Sequence, residues 1–308
     1  MIRIRTDQIN DPIPYTAGVL RLVLPKGSLE EQTLRLFEAA DLRVRRGSPR
    51  DYHGRIDDDR IERVSLLRPQ EIPTYVQDGF FDLGITGRDW VVETGADVEV
   101  IASLEYAKSG AGRVRIVLAV PVDHPATSAR DLPPGSRIST EYPNLTAKFF
   151  ADLGVPVKVV WSYGATEAKV PEIVDAIVDV TETGSTLRAH GMKVVDTLLE
   201  SETLLIANRA SARDPDRRRA IDDVALLLLG AIRAQGKVLI KLNVDEEHLR
   251  PVLDVLPAMK APTVSSLAEG GYAIETVVEK ATVNTLIPLL KATGATDILE
   301  LPITKIVP

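Results

Sequence analysis

The sequence predicts an α/β fold with two similar lobes, a cleft between them and a smaller βαββαβ domain at the C-terminal end. Three observations predict this fold. Short apolar strands alternate with amphipathic helical stretches, which is typical of a mainly parallel sheet. A pattern of apolar strand, Asp and Thr-Gly occurs twice along the chain. The C-terminal part has the order strand, helix, strand, strand, helix, strand.

Composition limits the class of protein. The chain has 308 residues, of which 44% are hydrophobic, enough for two or three globular domains. A net charge of −7 argues against nucleic-acid and membrane-surface partners, because both are polyanions. There is no cysteine, which excludes disulfides, thiolate nucleophiles and Cys-based metal sites. The N-terminal sequence lacks an apolar segment of secretory length, so we expect a cytoplasmic location.

The first lobe is predicted to follow an N-terminal arm. Residues 1–17 lack periodicity and contain two prolines, which favours a poorly ordered arm. The first lobe is expected over residues 18–115 and is completed by residues 202–236. Its predicted strands and helices are Leu20–Leu24, Leu29–Ala40, Pro69–Asp78, Leu83–Thr86 and Val98–Ser103.

The second lobe is predicted over residues 116–201. Strand Arg115–Val120 is expected to cross into it, and strand Glu202–Asn208 to return to the first lobe. A helix should then run from Asp214 to about Gln235, where a glycine follows.

The third unit, residues 237–308, has the order of a ferredoxin-like module. Its predicted elements are strand Val238–Val244, helix Glu246–Leu256, strands Thr263–Leu267 and Ala273–Val278, helix Thr282–Ala292 and strand Asp297–Pro302.

The two lobes are predicted from an internal duplication. Residues 79–88 parallel residues 176–185, because Thr-Gly falls four and five residues after Asp82 in one segment and after Asp179 in the other. Each half also opens with a strand, a proline-containing turn and a helix. Ligands are then expected in the cleft, at the carboxyl ends of the strands.

The second copy of this pattern has the chemistry of a phosphate site. Its strand ends in an acid and continues into a hydroxyl-rich turn, before a helix that we expect to open near Leu187. Backbone N–H groups around Gly184 and four hydroxyls can cradle a phosphate; the hydroxyls belong to Thr181, Thr183, Ser185 and Thr186. An ordinary strand and turn, with Thr183 or Ser185 capping the helix, is the alternative.

Two acids in this segment favour a sugar phosphate over a bare phosphate. A carboxylate beside a phosphate is repulsive unless it accepts hydrogen bonds from sugar hydroxyls or meets a divalent cation. Asp179 and Glu182 therefore favour a ribose phosphate, with sugar hydroxyls or a divalent cation as their partners.

Several motifs follow one another in a fixed order from about Leu20 onward. They are Leu24–Leu29, Arg68–Pro73, Asp82–Gly87, Tyr142–Asn144, Glu167–Pro171, Asp179–Leu187, Ala261–Val264 and Leu301–Ile306. In this order they resemble the ATP phosphoribosyltransferase family, the first enzyme of histidine biosynthesis, in its long form with a C-terminal regulatory domain. The chain departs from the family at Ser28, where an arginine is frequent, and in its longer leader.

The resemblance implies a reaction and a set of partners. The phosphoribosyl group of phosphoribosyl pyrophosphate would be transferred to N1 of ATP, with Mg²⁺ bound and pyrophosphate released. The lobes would resemble those of periplasmic binding proteins. The chain would form a homo-oligomer, as dimers and hexamers in exchange. Histidine would bind the C-terminal domain between subunits as a feedback inhibitor, with Asp245 on its ammonium group and Thr263 on its carboxylate.

The resemblance also implies roles in binding phosphoribosyl pyrophosphate. Asp179 and Glu182 are expected on the ribose hydroxyls or on Mg²⁺. The loop that contains the four hydroxyls and Gly184 is expected on the 5′-phosphate.

Other residues are expected on ATP and on the charged leaving group. Lys26, with Gly27 and Ser28, would bind ATP or pyrophosphate oxygens, although lysines after strands are often only solvated. Glu167 would contact the adenine amino group, or would act only as an acid at a helix start. Further cations for phosphate oxygens are Arg68, Arg88 and Arg115, and a surface ion pair is the alternative role for Arg88.

Two other functions fit the residues alone. Two lobes with a cleft also describe solute-binding proteins, so the chain could close on an anionic ligand without turnover. Phosphoribosyl transfer to an acceptor other than ATP is equally compatible with the Asp179–Thr186 loop.

Overall fold

The computed structural model describes residues 18–106, 113–257 and 261–308. The expected arm, residues 1–17, lies outside these described residues. The chain divides into two compact units, the first ending at Ala225 and the second comprising Leu226–Pro308. Within the described ranges, no helix is both long enough and apolar enough to cross a membrane.

The first lobe has a parallel strand at its centre. Strand β1 lies between β3 and β4, parallel to both, and five of its six residues are buried. Burial on both faces explains why this strand is an almost continuous apolar run. The strands are β1 Leu20–Pro25, β2 His53–Gly54, β3 Ile61–Leu67, β4 Leu83–Gly87 and β5 Glu99–Leu104, and the helices are α1 Glu30–Ala39, α2 Ile72–Gln77 and α3 Arg88–Thr94.

The second lobe repeats this arrangement. Strand β7 lies between β8 and β9, parallel to both, and β9 pairs on its other side with the antiparallel β6. The strands are β6 Arg113–Pro121, β7 Arg137–Thr140, β8 Lys158–Trp161 and β9 Ala176–Thr181, the helices are α4 Pro143–Leu153 and α5 Ser185–Ala189, and 3₁₀ helices lie at Ala129–Asp131 and Thr166–Lys169.

One long strand belongs to both lobes. Strand β10, Met192–Ala207, pairs with β6 up to Glu202, and from Thr203 onward it pairs with β4 and β5. The sheet order is β2-β3-β1-β4-β10-β6-β9-β7-β8, with β5 also on β10. The chain passes between the lobes twice, first from β5 to β6 and then along β10. These two connections lie side by side, because β5 and β6 both pair with β10. The predicted two-lobed α/β fold is confirmed, but the return strand begins ten residues before the predicted start.

The internal duplication is present in the structure, in a different register from the one predicted. Asp82, just before β4, exchanges backbone and side-chain hydrogen bonds with Arg21, including one of 2.9 Å from the Arg21 backbone N–H. Asp175, just before β9, makes the same exchange with Arg137, at 2.8 Å. The structural counterpart of Asp82 is therefore Asp175, and the alignment of Asp82 with Asp179 is wrong.

Helices α6 Arg209–Arg213 and α7 Pro215–Ala234 follow β10, and the start of this segment is bound to the first lobe through Asp82. The Asp82 carboxylate is 1% exposed and accepts hydrogen bonds from Ser211 at 2.6 Å and from Arg217 at 3.1 Å. Burial alone would raise the pKa of Asp82, but hydrogen bonds from Arg21 and Ser211 outweigh it, so the pKa lies below its ordinary value.

The second unit has the predicted ferredoxin-like order. Strand β11 alternates buried and half-buried positions, and its buried residues pack on helices α8 and α9. The sheet order is β12-β13-β11-β14, and every pair is antiparallel. The elements are β11 Lys237–Val244, α8 Glu246–Val255, β12 Thr263–Ser266, β13 Tyr272–Glu279, α9 Val283–Ala292 and β14 Thr296–Pro302.

We expect Asp82→Ala to lower the free energy of unfolding by about 3 kcal/mol, because it leaves buried donors without their acceptor. Urea unfolding followed by circular dichroism measures this loss. Asp152→Ala, which removes an exposed ion pair with Lys148, is the control and should cost less than about 1 kcal/mol. Equal midpoints for the two variants would contradict the structural role of Asp82.

Candidate functional site

A cleft of about 540 Å³ lies between the two lobes of the first unit. This volume suits a small-molecule ligand. Most of the residues predicted from the phosphate motif line it, together with Ser28 and Glu167; those from the motif are Asp179, Thr181, Glu182, Thr183, Ser185 and Thr186. The structure therefore brings the main predicted binding residues together at one place.

The hydroxyl loop connects β9 to α5. Gly184 has a φ of +73°, a left-handed conformation that glycine adopts without strain, and its N–H donates to Thr181 Oγ1 at 2.8 Å. Thr183 and Ser185 are exposed, and their hydroxyls lie 3.0 Å apart. The helix begins at Ser185, two residues before the predicted start, and Gly184 occupies the N-cap position instead of Thr183 or Ser185. The exposed hydroxyls of Thr183, Ser185 and Thr186, rather than the Gly184 N–H or the Thr181 hydroxyl, are thus accessible to a ligand.

Carboxylates dominate the electrostatics of the cleft. The pKa of Asp179 is raised to about 6, mainly by burial and also by the negative charges of Glu167 and Glu141. Glu141 and Glu167 both line the cleft, as does Glu182. Among the described residues, no lysine or arginine lines it. The cleft is therefore electronegative, and an anionic ligand would need cations to accompany it.

Two of the predicted cations lie beyond the lining of the cleft, in loops of the first lobe. The Lys26 ammonium donates to the Arg50 carbonyl at 3.1 Å and lies 4.1 Å from the centre of the Tyr52 ring. Arg68 is exposed, and its guanidinium lies 3.3 Å from where a Cβ on Gly27 would be. Turn residues 69–71 separate Arg68 from α2, so this helix begins three residues after the predicted start at Pro69, and Arg68 does not lie directly before it.

The other two predicted cations lie near the crossing between the lobes, Arg88 at the start of α3 and Arg115 on β6. Arg88 donates from Nε to Glu202 at 3.0 Å, and this hydrogen bond raises the pKa of Arg88. Arg88 therefore forms an ion pair with Glu202, which agrees with the alternative role predicted for it. Arg115 lies directly opposite Thr181 across β6 and β9, so both side chains project from the same face of the sheet.

A buried carboxylate that the motifs did not predict joins the lobes at the floor of the cleft. Asp89, on α3 of the first lobe, accepts a hydrogen bond from Ser201 on β10 at 2.6 Å and one from Tyr142 of the second lobe at 2.9 Å. Burial raises the pKa of Asp89 above its ordinary value, although these hydrogen bonds oppose the shift. Gly87 is required here, since a Cβ on it would lie 2.1 Å from the Asp89 carboxylate.

A second acid on α3 reinforces the junction. Glu93 accepts hydrogen bonds from the backbone N–H groups of Asn144 at 3.0 Å and Leu145 at 2.9 Å, at the start of α4. A carboxylate at this position pairs with otherwise unbonded N–H groups and with the helix dipole. Burial raises the pKa of Glu93 despite these bonds. Trp90 stacks on Tyr142 between the two acids, with ring centres 4.5 Å apart.

The expected effector residues lie in the second unit. Asp245 follows Val244, which pairs with Tyr272, whereas Thr263 pairs with Glu275, three residues further along β13. Strand geometry thus separates Val244, the residue before Asp245, from Thr263 by about 10 Å along the strands, and the intervening strand β13 adds to this separation. One chain alone does not bring these two residues together.

The chain matches known proteins along nearly its whole length. A family model described as ATP phosphoribosyltransferase matches residues 68–229, and one described as HisG, C-terminal domain, matches residues 234–305. Relatives named ATP phosphoribosyltransferase from Koribacter versatilis and Chlorobaculum parvum are 48% and 49% identical. Each alignment covers 94% of this chain, and 99% and 98% of the respective relatives.

A solved structure also resembles the chain. It is a chain of the ATP phosphoribosyl transferase (HisG:HisZ) complex from Thermotoga maritima, at 26% sequence identity. The TM-score is 0.56, and the match covers 67% of this chain and 97% of that one.

We expect Asp89→Asn to change how stability depends on pH. The pKa of Asp89 in the folded protein lies above its ordinary value of 3.8, so the stability that this group contributes is complete below 3.8 and is lost as pH rises through the raised pKa. Asparagine does not titrate in this range, and the hydroxyls of Ser201 and Tyr142 can rotate to hydrogen-bond to its amide. The melting temperature of Asp89→Asn relative to wild type should therefore rise as the pH increases above about 4.

Thermal melts across this pH range measure the difference. Asp152→Asn, at an exposed position, is the control and should follow wild type throughout. A wild-type advantage over Asp89→Asn that grows with pH would contradict the raised pKa.

Proposed function

The chain belongs to the ATP phosphoribosyltransferase family, and we propose that its reaction takes place in the cleft between the two lobes. The enzyme transfers the phosphoribosyl group of phosphoribosyl pyrophosphate to N1 of ATP, releases pyrophosphate and so carries out the first step of histidine biosynthesis. One observation supports this location: Asp179 and the hydroxyl loop line the same cleft.

Phosphoribosyl pyrophosphate would bind across the end of β9. The hydroxyls of Thr183, Ser185 and Thr186 would donate to the 5′-phosphate, since all three are exposed in the cleft. Asp179 would accept hydrogen bonds from the ribose hydroxyls, which also offsets the cost of its partial burial. The carboxylates would then lie beside the sugar ring, where positive charge develops as pyrophosphate departs.

No covalent nucleophile is required, because adenine N1 is itself the nucleophile. Positioning of the two substrates and electrostatic stabilisation must supply most of the acceleration. ATP would approach from the first lobe, where Ser28 lines the cleft and Gly27 lies beside Arg68. Glu167, on the opposite wall, would face the adenine.

The four predicted cations would serve phosphate groups from outside the lining of the cleft. Lys26 and Arg68 belong to the loops that follow the parallel strands β1 and β3, so they lie along one edge of the sheet. Arg88 and Arg115 lie near the crossing between lobes. Long triphosphate and pyrophosphate groups can extend from the cleft toward these side chains, and Arg88 would exchange its bond with Glu202 for one with a phosphate.

Mg²⁺ is the cofactor we propose, held by Asp179 and Glu182. Among the described residues, no group of three or more Asp, Glu or His side chains could hold a metal. Two carboxylates suit Mg²⁺, which usually takes one or two from the protein and completes its shell with phosphate oxygens and water. When bound, Mg²⁺ would supply the positive charge that the lining of the cleft lacks.

Regulation and assembly are further proposals. The family match in the second unit supports histidine as an effector there, and the separation of Asp245 from Thr263 supports a site completed by a second copy of the chain. This would fit a homo-oligomer, as dimers and hexamers in exchange. Dependence on ATP supports a cytoplasmic location. The solute-binding and other-acceptor alternatives give no account of a family match to ATP phosphoribosyltransferase.

Ultraviolet absorbance on mixing the protein with ATP, phosphoribosyl pyrophosphate, Mg²⁺ and pyrophosphatase tests the function. We expect product formation, and suppression when histidine is added. Formation without suppression would contradict the effector site alone. Binding of phosphoribosyl pyrophosphate without any product would contradict the transferase.

Variants locate the reaction in the cleft. We expect Asp179→Asn to lower kcat/KM for phosphoribosyl pyrophosphate by about 100-fold, because a charge-stabilising group is lost. Thr183→Ala should raise KM for the same substrate by about fivefold, the value of one hydrogen bond. Asp152→Asn, exposed on the same lobe, is the matched control. Wild-type kinetics in both cleft variants, with normal circular dichroism, would place the site elsewhere.

A further inference from the structure

Glu202 is a carboxylate of the cleft that already has a cationic partner. It lines the cleft from β10, and its side chain is 11% exposed. Arg88, at the start of α3, donates to it from Nε at 3.0 Å and also from Nη2. The Arg88 side chain is 42% exposed, so an anion from solution can approach the guanidinium while Glu202 holds it. A fixed carboxylate and an entering anion would thus compete for one cation.

Strand pairing places this ion pair beside the loop proposed for phosphoribosyl pyrophosphate. Across β10, β6 and β9, Glu200 lies opposite Arg115, which in turn lies opposite Thr181 of the hydroxyl loop. Glu202 is two residues further along β10 than Glu200, so its side chain projects from the same face, about 7 Å along the strand. The anion best placed to reach Arg88 is therefore the pyrophosphate group of this substrate.

A second cation lies beside Glu202 and can receive its carboxylate when Arg88 turns to another anion. Arg113 lies directly opposite Glu202 across β6 and β10, so the two side chains project from the same face of the sheet. The present partner of Arg113 is Glu200, at 4.0 Å, in an exposed pair that contributes little to stability. Glu202 can therefore leave Arg88 without becoming an unpaired, partly buried charge, which would be costly.

We propose that Glu202 is a positioning residue that competes with pyrophosphate for Arg88 and so limits how tightly this product is held. The inference rests on the proposed function of the cleft, including the phosphate-binding role of Arg88. A cation that is occupied most of the time raises the apparent Kd of a competing ligand by the reciprocal of its free fraction. When pyrophosphate leaves, Glu202 returns to Arg88 and replaces the hydrogen bonds that the product made.

Isothermal titration calorimetry of Glu202→Gln with pyrophosphate and Mg²⁺ measures this competition. Glutamine is similar in size and still accepts from Arg88, but without a charge, so it holds the guanidinium less strongly. We expect Glu202→Gln to bind pyrophosphate about 10-fold more tightly than wild type, as it would if Arg88 were free for about a tenth of the time in wild type. The inhibition constant for pyrophosphate and KM for phosphoribosyl pyrophosphate should fall by a similar factor.

The sign of this change separates competition from a structural role. Local damage to the cleft weakens binding, whereas release of Arg88 tightens it. An unchanged or larger Kd for pyrophosphate in folded Glu202→Gln would therefore overturn the proposal. If Glu202→Gln does not fold, Glu202→Asp decides. It keeps the charge but withdraws it by one methylene, so it should show part of the tightening, and a wild-type Kd would overturn the proposal.

A matched control tests whether the loss of any carboxylate has the same effect. Glu99 forms a comparable pair with Arg218, at 2.8 Å, on β5 opposite Ala207. This position is about 17 Å along β10 from Glu202. Glu99→Gln should bind pyrophosphate within about twofold of wild type, because charges at this separation are screened. Equal tightening in Glu99→Gln would show an effect of net charge alone and would overturn the role of Glu202.

A double-mutant cycle with Arg88→Met tests whether Glu202 acts through Arg88. Arg88→Met alone should weaken pyrophosphate binding by about 10-fold or more, as the loss of a charged hydrogen bond does. In this background Glu202→Gln should tighten binding by about twofold at most, since no cation remains to be released. A 10-fold tightening in both backgrounds would mean that Glu202 only repels the anion, which contradicts the proposal.

Activity measurements distinguish this inference from the proposed function. Wild-type protein that forms product, together with unchanged pyrophosphate binding in Glu202→Gln, would overturn the role of Glu202 and leave the function intact. A wild-type protein that forms no product would contradict both.

Discussion

Strand β10 carries backbone hydrogen bonds to both lobes, and the position of the cleft depends on where it changes partners. Because its pairing passes from β6 to β4 and β5 between Glu202 and Thr203, the two lobes share one continuous strand at that point. Ser201, Glu202 and Thr203, the residues at the change, line the cleft. Ser201, which donates to Asp89 at 2.6 Å, is one of them. The same strand thus joins the lobes and supplies part of the cleft floor.

Buried carboxylates at this junction fix how the two lobes meet, and their burial costs hydration free energy. Asp89 and Glu93 lose hydration when the lobes meet, and their raised pKa values express that cost. Each receives two donors from groups outside α3, so separation of the lobes would exchange directional hydrogen bonds for water. The carboxylates around Asp179 add negative charge nearby. Together they create a site that favours hydroxyls and cations, which is consistent with a sugar phosphate that arrives with Mg²⁺.

The sequence predicted local features well and features that depend on distant neighbours poorly. The βαββαβ unit was predicted to within about two residues, because each element carries its own periodicity and turn residues. The hydroxyl loop was also identified, since its residues are contiguous. Three errors have one cause. The junction around Asp89 is formed by three segments that are far apart in sequence. The direction in which each cationic side chain points depends on tertiary partners such as Glu202. The structural counterpart of Asp82 can be identified only because Asp82 hydrogen-bonds to Arg21. A motif gives residue types and spacing, but not the side-chain contacts that decide these points.

The most direct test of the account is a crystal structure of the protein with phosphoribosyl pyrophosphate and Mg²⁺. The account predicts the 5′-phosphate within hydrogen-bonding distance of Thr183, Ser185 and Thr186, and the ribose hydroxyls or Mg²⁺ on Asp179. Phosphoribosyl pyrophosphate bound outside the cleft, or bound inside it with its phosphate away from this loop, would contradict the central claim.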